Sequence, residues 1–216
     1  MSYEFRNLDQ VPADNLGGIE ALWYTLASDL VDFPALGELP LDQLSLQPGA
    51  SWYQLVSTRS SVRYKQTPKD LARHGQSFAQ KLTGVLARHT TELAQGIEAL
   101  EGQPLVVLYR DLNGQVQLVG TPEQPLSWGD VYDTGETPAQ RNNYDWTLLG
   151  ETPRRARPYL GTWQVSGLGL QSSLVLAAGA GGSVRLLTAG GKLLAVVPAG
   201  KSIVLRSGFK LSYQIV

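Results

Sequence analysis

Pro104-Leu105-Val106-Val107-Leu108-Tyr109, then Asp111-Leu112-Asn113-Gly114, then Gln115-Val116-Gln117-Leu118-Val119 decide the fold class of this chain. An apolar, β-prone run meets an Asn-Gly turn, and an alternating run follows it. That order reads as a β-hairpin. Just upstream, Thr90-Thr91-Glu92 opens a helix: a threonine caps it, Glu92 suits its first turn, and Leu93, Ile97 and Leu100 recur at helical spacing until Gly102 stops it. Such a helix must bury one face.

Outward from this centre, most of the chain carries strand signals. Trp52-Tyr53-Gln54-Leu55-Val56 reads as a strand, and so does Ser61 to Gln66, where Val62 and Tyr64 alternate with Arg63 and Lys65 and Pro68 is expected to close the element. The stretch Gln76 to Leu86 suits a strand through Phe78 and Leu82 or a helix, with Gly75 and Gly84 favouring the strand. Residues 14–50 combine an apolar stretch, Ile19 to Leu30, with Pro34, Pro40 and Pro48, a density that works against long regular elements. Gly120 to Gly150 reads as loop-rich, through Pro122, Pro125 and Pro138, until Asn143 to Leu149 returns as a strand with alternating aromatics. Past Tyr159, Ser173–Ala177, Ser183–Leu187, Lys192–Val197, Ser202–Leu205 and Lys210–Val216 are short apolar runs between Gly-rich turns. The expected fold is mainly β (α+β): a β-sandwich or barrel with one packed helix over residues 1–159, followed by a small all-β C-terminal module over 160–216.

Composition narrows the functional classes. The 216 residues contain no cysteine, which excludes disulfides, thiolate metal sites and cysteine nucleophiles and leaves the compartment open. Charged residues are 17% of the chain and there are 23 glycines. The first ten residues carry Glu4 and Arg6 and no apolar run, and no stretch approaches a membrane-spanning length. No signal peptide, no membrane partner and a soluble product of the cytoplasm are the expectations. The formal net charge of −1 hides a split: 19 acidic and 10 basic residues through Glu151, then 8 basic and none acidic from Thr152 onward. Only Arg154, Arg155 and Arg157 cluster, so the split favours head-to-tail association of identical copies over nucleic-acid binding.

Signals for chemistry are sparse. The two histidines, His74 and His89, lack metal-ligand spacing and read as surface or capping residues. Gly179-Ala180-Gly181-Gly182 has the composition of a phosphate loop without the Gly-Lys-Ser/Thr that should follow, and reads as a turn. Asp130, Asp133 and Glu136 fall together in what reads as a loop. Paired carboxylates serve glycoside hydrolysis or calcium binding, but the spacing fits neither pattern and suggests a solvated loop or an intersubunit contact. There is no Gly-x-Ser-x-Gly elbow. Trp52, Tyr53, Trp128, Tyr132, Tyr144, Trp146 and Trp163 could build a sugar or base platform, though in a strand-rich protein such residues more often fill cores and interfaces. The expectation is no enzyme, no catalytic, cofactor-binding or metal residues, and no cofactor.

The order Thr91 to Leu100, Pro104 to Tyr109, Asp111 and Asn113-Gly114, Leu118-Val119-Gly120, Pro125-Leu126, Asp133-Thr134-Gly135, Asn143-Tyr144, Trp146-Thr147-Leu148 and Gly150 resembles virion structural proteins of tailed phages and prophages of the Bacteroidetes type, most of all their tail-tube proteins. The resemblance covers roughly residues 76–160. It implies a β-sandwich or barrel subunit that forms rings, commonly hexameric, which stack into a conduit through which DNA passes without specific binding. It also implies other tail proteins as partners and the virion tail as location. An acidic wall would let DNA slide, with the basic C-terminal module turned outward or docked on a neighbour. A non-catalytic module that recognises a glycan or host surface is the alternative, and a glycosidase using Asp130 and Asp133 stands third.

Overall fold

The computed structural model describes residues 15–31, 33–34, 44–137, 139–172, 175–177, 184–188, 192–198, 202–204 and 211–215. Its strands in chain order are β1 Ile19–Leu26, β2 Leu30–Val31, β3 Ser45–Leu46, β4 Tyr53–Gln54, β5 Arg63–Asp70 and β6 Gln76–Ala87. The helix α1, Thr91–Glu98, follows, and then β7 Leu105–Asp111, β8 Val116–Val119, β9 Ser127–Asp133, β10 Asn143–Thr152, β11 Arg157–Pro158, β12 Thr162–Val165 and β13 Gly169–Ser172. The remainder is β14 Val175–Ala177, β15 Val184–Thr188, β16 Leu193–Val197, β17 Ser202–Val204 and β18 Leu211–Ile215. The chain is mainly β, with one α-helix among the described residues.

Two sheets make a β-sandwich. One has the order β11-β8-β7-β1-β4, the other β5-β6-β10-β9, and every pairing in both is antiparallel. Between them lies a core of Leu22, Leu105, Val107 and Val119 from the first sheet and Leu82, Leu86, Tyr144, Trp146 and Leu148 from the second, with Ile97 and Leu100 brought in by the helix segment. The opposite face of the first sheet is covered too: Trp23, Val106, Leu108, Val116 and Leu118 pack with Leu30, Leu44, Trp52, Tyr159, Trp163 and Val165. Strand β7 is therefore apolar at consecutive rather than alternate positions, because both of its faces are buried. Trp163 and Val165, which follow the boundary expected near Tyr159, share this second cluster with Tyr159, and Trp52 bridges in parallel to Val165.

The hairpin stands as the sequence indicates, with Val107 opposite Val119 and Gly114 at φ 85° in the turn. Thr90 caps α1 by accepting the Leu93 N–H at 3.2 Å. Gln76 to Leu86 is a strand. Four local expectations are corrected. Pro68 does not end its element: β5 runs on to Asp70, which an edge strand tolerates because no strand of the same chain takes an N–H from its outer side. The stretch Gly120 to Gly150 is not mostly loop, since β9 occupies Ser127–Asp133 and places Asp130 and Asp133 on a strand, with only Glu136 in the turn beyond. Ile19 to Leu30, amid the prolines and glycines, supplies the eight-residue strand β1. Trp52 to Val56 yields only the two-residue β4. The C-terminal runs form strands β14 to β18, pairing as β14-β17 and β16-β15-β18, while Gly179 to Gly182 lies outside the described residues.

Candidate functional site

The sheet β5-β6-β10-β9 positions what the sequence singled out. Alternation sends its even-numbered residues toward the core and its odd-numbered ones to solvent. On the core side Trp146 crosses directly over its partner Gly84, where a Cβ would stand 2.5 Å from Cζ2 of the indole, so only glycine admits the ring. Trp146 donates its indole N–H to Ser57 Oγ at 2.9 Å and stacks on Trp128, centroids 5.7 Å apart. Trp128 donates to Asp130 Oδ1 at 2.9 Å. Farther along, Tyr144 stacks on Tyr132 at 4.6 Å, and His89 closes the row, 5.1 Å from the Tyr132 ring with its Nδ1 2.5 Å from the Tyr144 hydroxyl. The row runs from buried Trp146 to Tyr132, 41% exposed at the edge strand.

The carboxylates do not converge. Asp130 points to the core side and is held by Trp128, while Asp133 points outward and accepts the Gly135 N–H at 2.8 Å. This separation argues against an acid and base working as a pair across one bond. His74 lies in a short 3-10 turn, Ala72–His74, within the β5–β6 connection, at the opposite end of β6 from His89. Among the described residues no group of three or more His, Asp or Glu side chains is placed to hold a metal ion. Nor is any helix among them long and apolar enough to cross a membrane. A groove of about 410 Å³ runs between β1 and residues 54–62. Its carboxylate, Glu20, is engaged by Arg110 Nε at 2.9 Å.

The basic cluster after Thr152 is largely structural. Arg157 is buried with its guanidinium 5.9 Å over the Phe33 ring, and Arg155 lies 4.9 Å over Phe78. Sequence reasoning missed a buried polar network between β5, β6 and β10. Gln80, 1% exposed, donates to Thr152 Oγ1 at 2.8 Å, and Gln66 Oε1 accepts the Ala156 N–H at 2.8 Å. The Tyr64 hydroxyl joins both glutamine oxygens, and burial together with the neighbouring Tyr109 holds its pKa well above the usual phenol value. The signal was present as Gln66 and Gln80 at core-facing positions of two strands, legible only once their register is known.

The outer face of this sheet is open to water. Arg63, Lys65, Lys69 and Lys81 occupy its β5–β6 half, and Asp133, Asp145 and Glu151 its β9–β10 half. Lys69 and Glu151 form an ion pair at 2.6 Å across the middle. Lys65 and Lys81 stand directly opposite each other, a like-charge pair. Among the described residues no strand pairs with the outer edge of β5 or of β9, although Leu126, just before β9, exchanges both backbone hydrogen bonds with Leu105 of β7. No family model matches the chain, and neither a curated protein nor a solved structure matches it.

Proposed function

We propose that this chain is a self-assembling structural subunit of a phage tail, of the tail-tube kind, whose copies close into stacked rings around a conduit for DNA, and that it is not an enzyme. The observation that carries this reading is the pair of open edges on the sheet β5-β6-β10-β9. With four antiparallel strands, β5 and β9 run in opposite directions, so identical copies set side by side in one orientation meet β9 to β5 as another antiparallel pair. Every joint is heterologous and the same joint repeats, which is the condition for a ring. The other sheet and the helix lie on the core side, so the open face is the one that fits a lumen. That face is mixed in sign, with four cations and three anions, rather than uniformly acidic as the charge split suggested.

Negative-stain electron microscopy with mass measurement in solution tests the reading. Rings or tubes far larger than 23.4 kDa are expected, and a monomer at every concentration removes its support. The exposed Tyr132 ring beside His89 favours, as a second reading, recognition of a glycan. In that case the protein stays small and its tryptophan fluorescence responds to added sugar.

A further inference from the structure

We propose that the edges β5 and β9 of neighbouring copies join in one register, Arg63 opposite Asp133 and Lys69 opposite Ser127, with Tyr64 opposite Tyr132, Lys65 opposite Val131 and Pro68 opposite Trp128 between them. The inference rests on the ring reading and specifies its contact. Three observations converge on this register. First, it is one of only two registers in which the whole of β9, Ser127–Asp133, overlaps regular strand of β5, Arg63–Asp70, and the other, one residue away, sets core-facing residues opposite solvent-facing ones. Second, it pairs like faces and like backbone orientation. Val85 on β6 turns both its backbone groups toward the β5 side, its C=O accepting from Thr58 N and its N–H donating to Ser61 Oγ. By alternation through the sheet, the even-numbered residues of both β5 and β9 turn their backbone groups to the free edges. Tyr64–Tyr132 and Gln66–Asp130 are then full hydrogen-bonding pairs, Pro68–Trp128 is a third in which Pro68 has no N–H to give and only its C=O takes part, and Arg63–Asp133 and Lys65–Val131 are the closer, non-bonded ones.

Third, the stagger is that of a closed barrel. Within one copy Gly129, Thr147, Thr83 and Arg63 lie on one line across the sheet. The joint places Gly129 opposite Thr67, four residues farther along β5. Four residues over four strands is one residue per strand, a tilt of about 35° at the usual strand spacing and rise, inside the range that barrels adopt. The chemistry agrees. Arg63 meets a carboxylate on the open face, and the like-charge Lys65–Lys81 pair gains Asp133 as a near neighbour. On the core side the exposed Tyr132 ring, already stacked on Tyr144, gains the Tyr64 ring, itself 5.0 Å from Tyr109. Cross-strand aromatic and opposite-charge pairs are the contacts that stabilise sheets.

The chain has no cysteine, so engineered thiols report the register cleanly. The full-length double variant Lys65→Cys/Val131→Cys, oxidised mildly, is expected to give a ladder of disulfide-linked oligomers on a denaturing gel. Lys65→Cys/Ser127→Cys, four residues out of register, is expected to give none. Arg63→Glu should raise the concentration needed for assembly by about tenfold or more, and adding Asp133→Arg should restore it to within about threefold. Rings seen by microscopy that link through 65 and 127, or that ignore the reversal at Arg63, overturn the register and leave the ring reading standing. A wild-type protein that stays monomeric overturns both.

Discussion

Gly84 and Trp146 show how much one position can carry. A Cβ at Gly84 would stand 2.5 Å from Cζ2 and 2.7 Å from Cε2 of the indole, while a Cβ on Gly96, in α1, meets nothing within 4 Å. Gly84→Ala should therefore destabilise by about 1–3 kcal/mol, as overpacking does, and shift the tryptophan fluorescence as the Trp146–Ser57 hydrogen bond moves. Gly96→Ala should stabilise by about 0.5–1 kcal/mol by restricting the unfolded chain and favouring the helix. Thermal unfolding of the two variants checks both signs. Buried phenols give a second test at this scale. Burial pushes the Tyr159 pKa up to about 12, and Tyr64 and Tyr109 higher still. Their native values exceed the unfolded ones, so the stabilisation is whole below the ordinary phenol value near 10 and is lost as pH rises from there through the native values. Spectrophotometric titration should find these tyrosines ionising only together with alkaline unfolding.

At the scale of elements, the helix and the hairpin follow from local chemistry. Thr90 accepts the Leu93 N–H, and its replacement by alanine should cost about 1 kcal/mol, measured as a lowered melting temperature, with serine retaining most of the cap. The hairpin turn does more than reverse the chain. Asn113 accepts the Leu16 N–H at 2.9 Å and donates to Leu16 O at 3.1 Å, tying the entry to β1 to the tip of β7–β8. Edge strands were harder to read. Pro68 suggested an early end to β5, yet charge and proline are what a strand carries when no strand of the same chain pairs with its outer side. In β9, Trp128, Asp130 and Tyr132 alternate with Ser127, Gly129 and Val131, a pattern in which neither face is plainly apolar. That obscured the strand, because its core-facing side lies at the rim of the sandwich.

For the whole molecule, assembly and charge belong together. The excess of acid before Thr152 and of base after it, and the division of one sheet face into cationic and anionic halves, predict that any oligomers weaken as ionic strength rises. Light scattering from low to high salt reads this directly. Within one copy, hydrogen bonds from Lys69 and Ser77 hold the Glu151 carboxyl below its ordinary value. Because the native pKa is depressed, the stabilisation is present above the ordinary carboxylate value and vanishes as pH falls through the native one. Glu151→Gln should thus lower the melting temperature slightly at neutral pH and leave it unchanged in acid.

The sequence by itself determined the β class, the capped helix, the Asn-Gly hairpin and the short strands of the C-terminal part, because each shows in the local order of apolar, polar and turn-forming residues. It also bounded the chemistry, through the absence of cysteine and the spacing of His74 and His89. Only the tertiary structure decided that β7 is buried on both faces, that Asp130 and Asp133 point to opposite sides of a strand, and that Gln66, Gln80 and Thr152 close one buried network. Tertiary structure also made β5 and β9 the open edges of one sheet. These depend on register and sheet order, which join residues tens of positions apart, and no local pattern of side chains encodes which strand lies beside which.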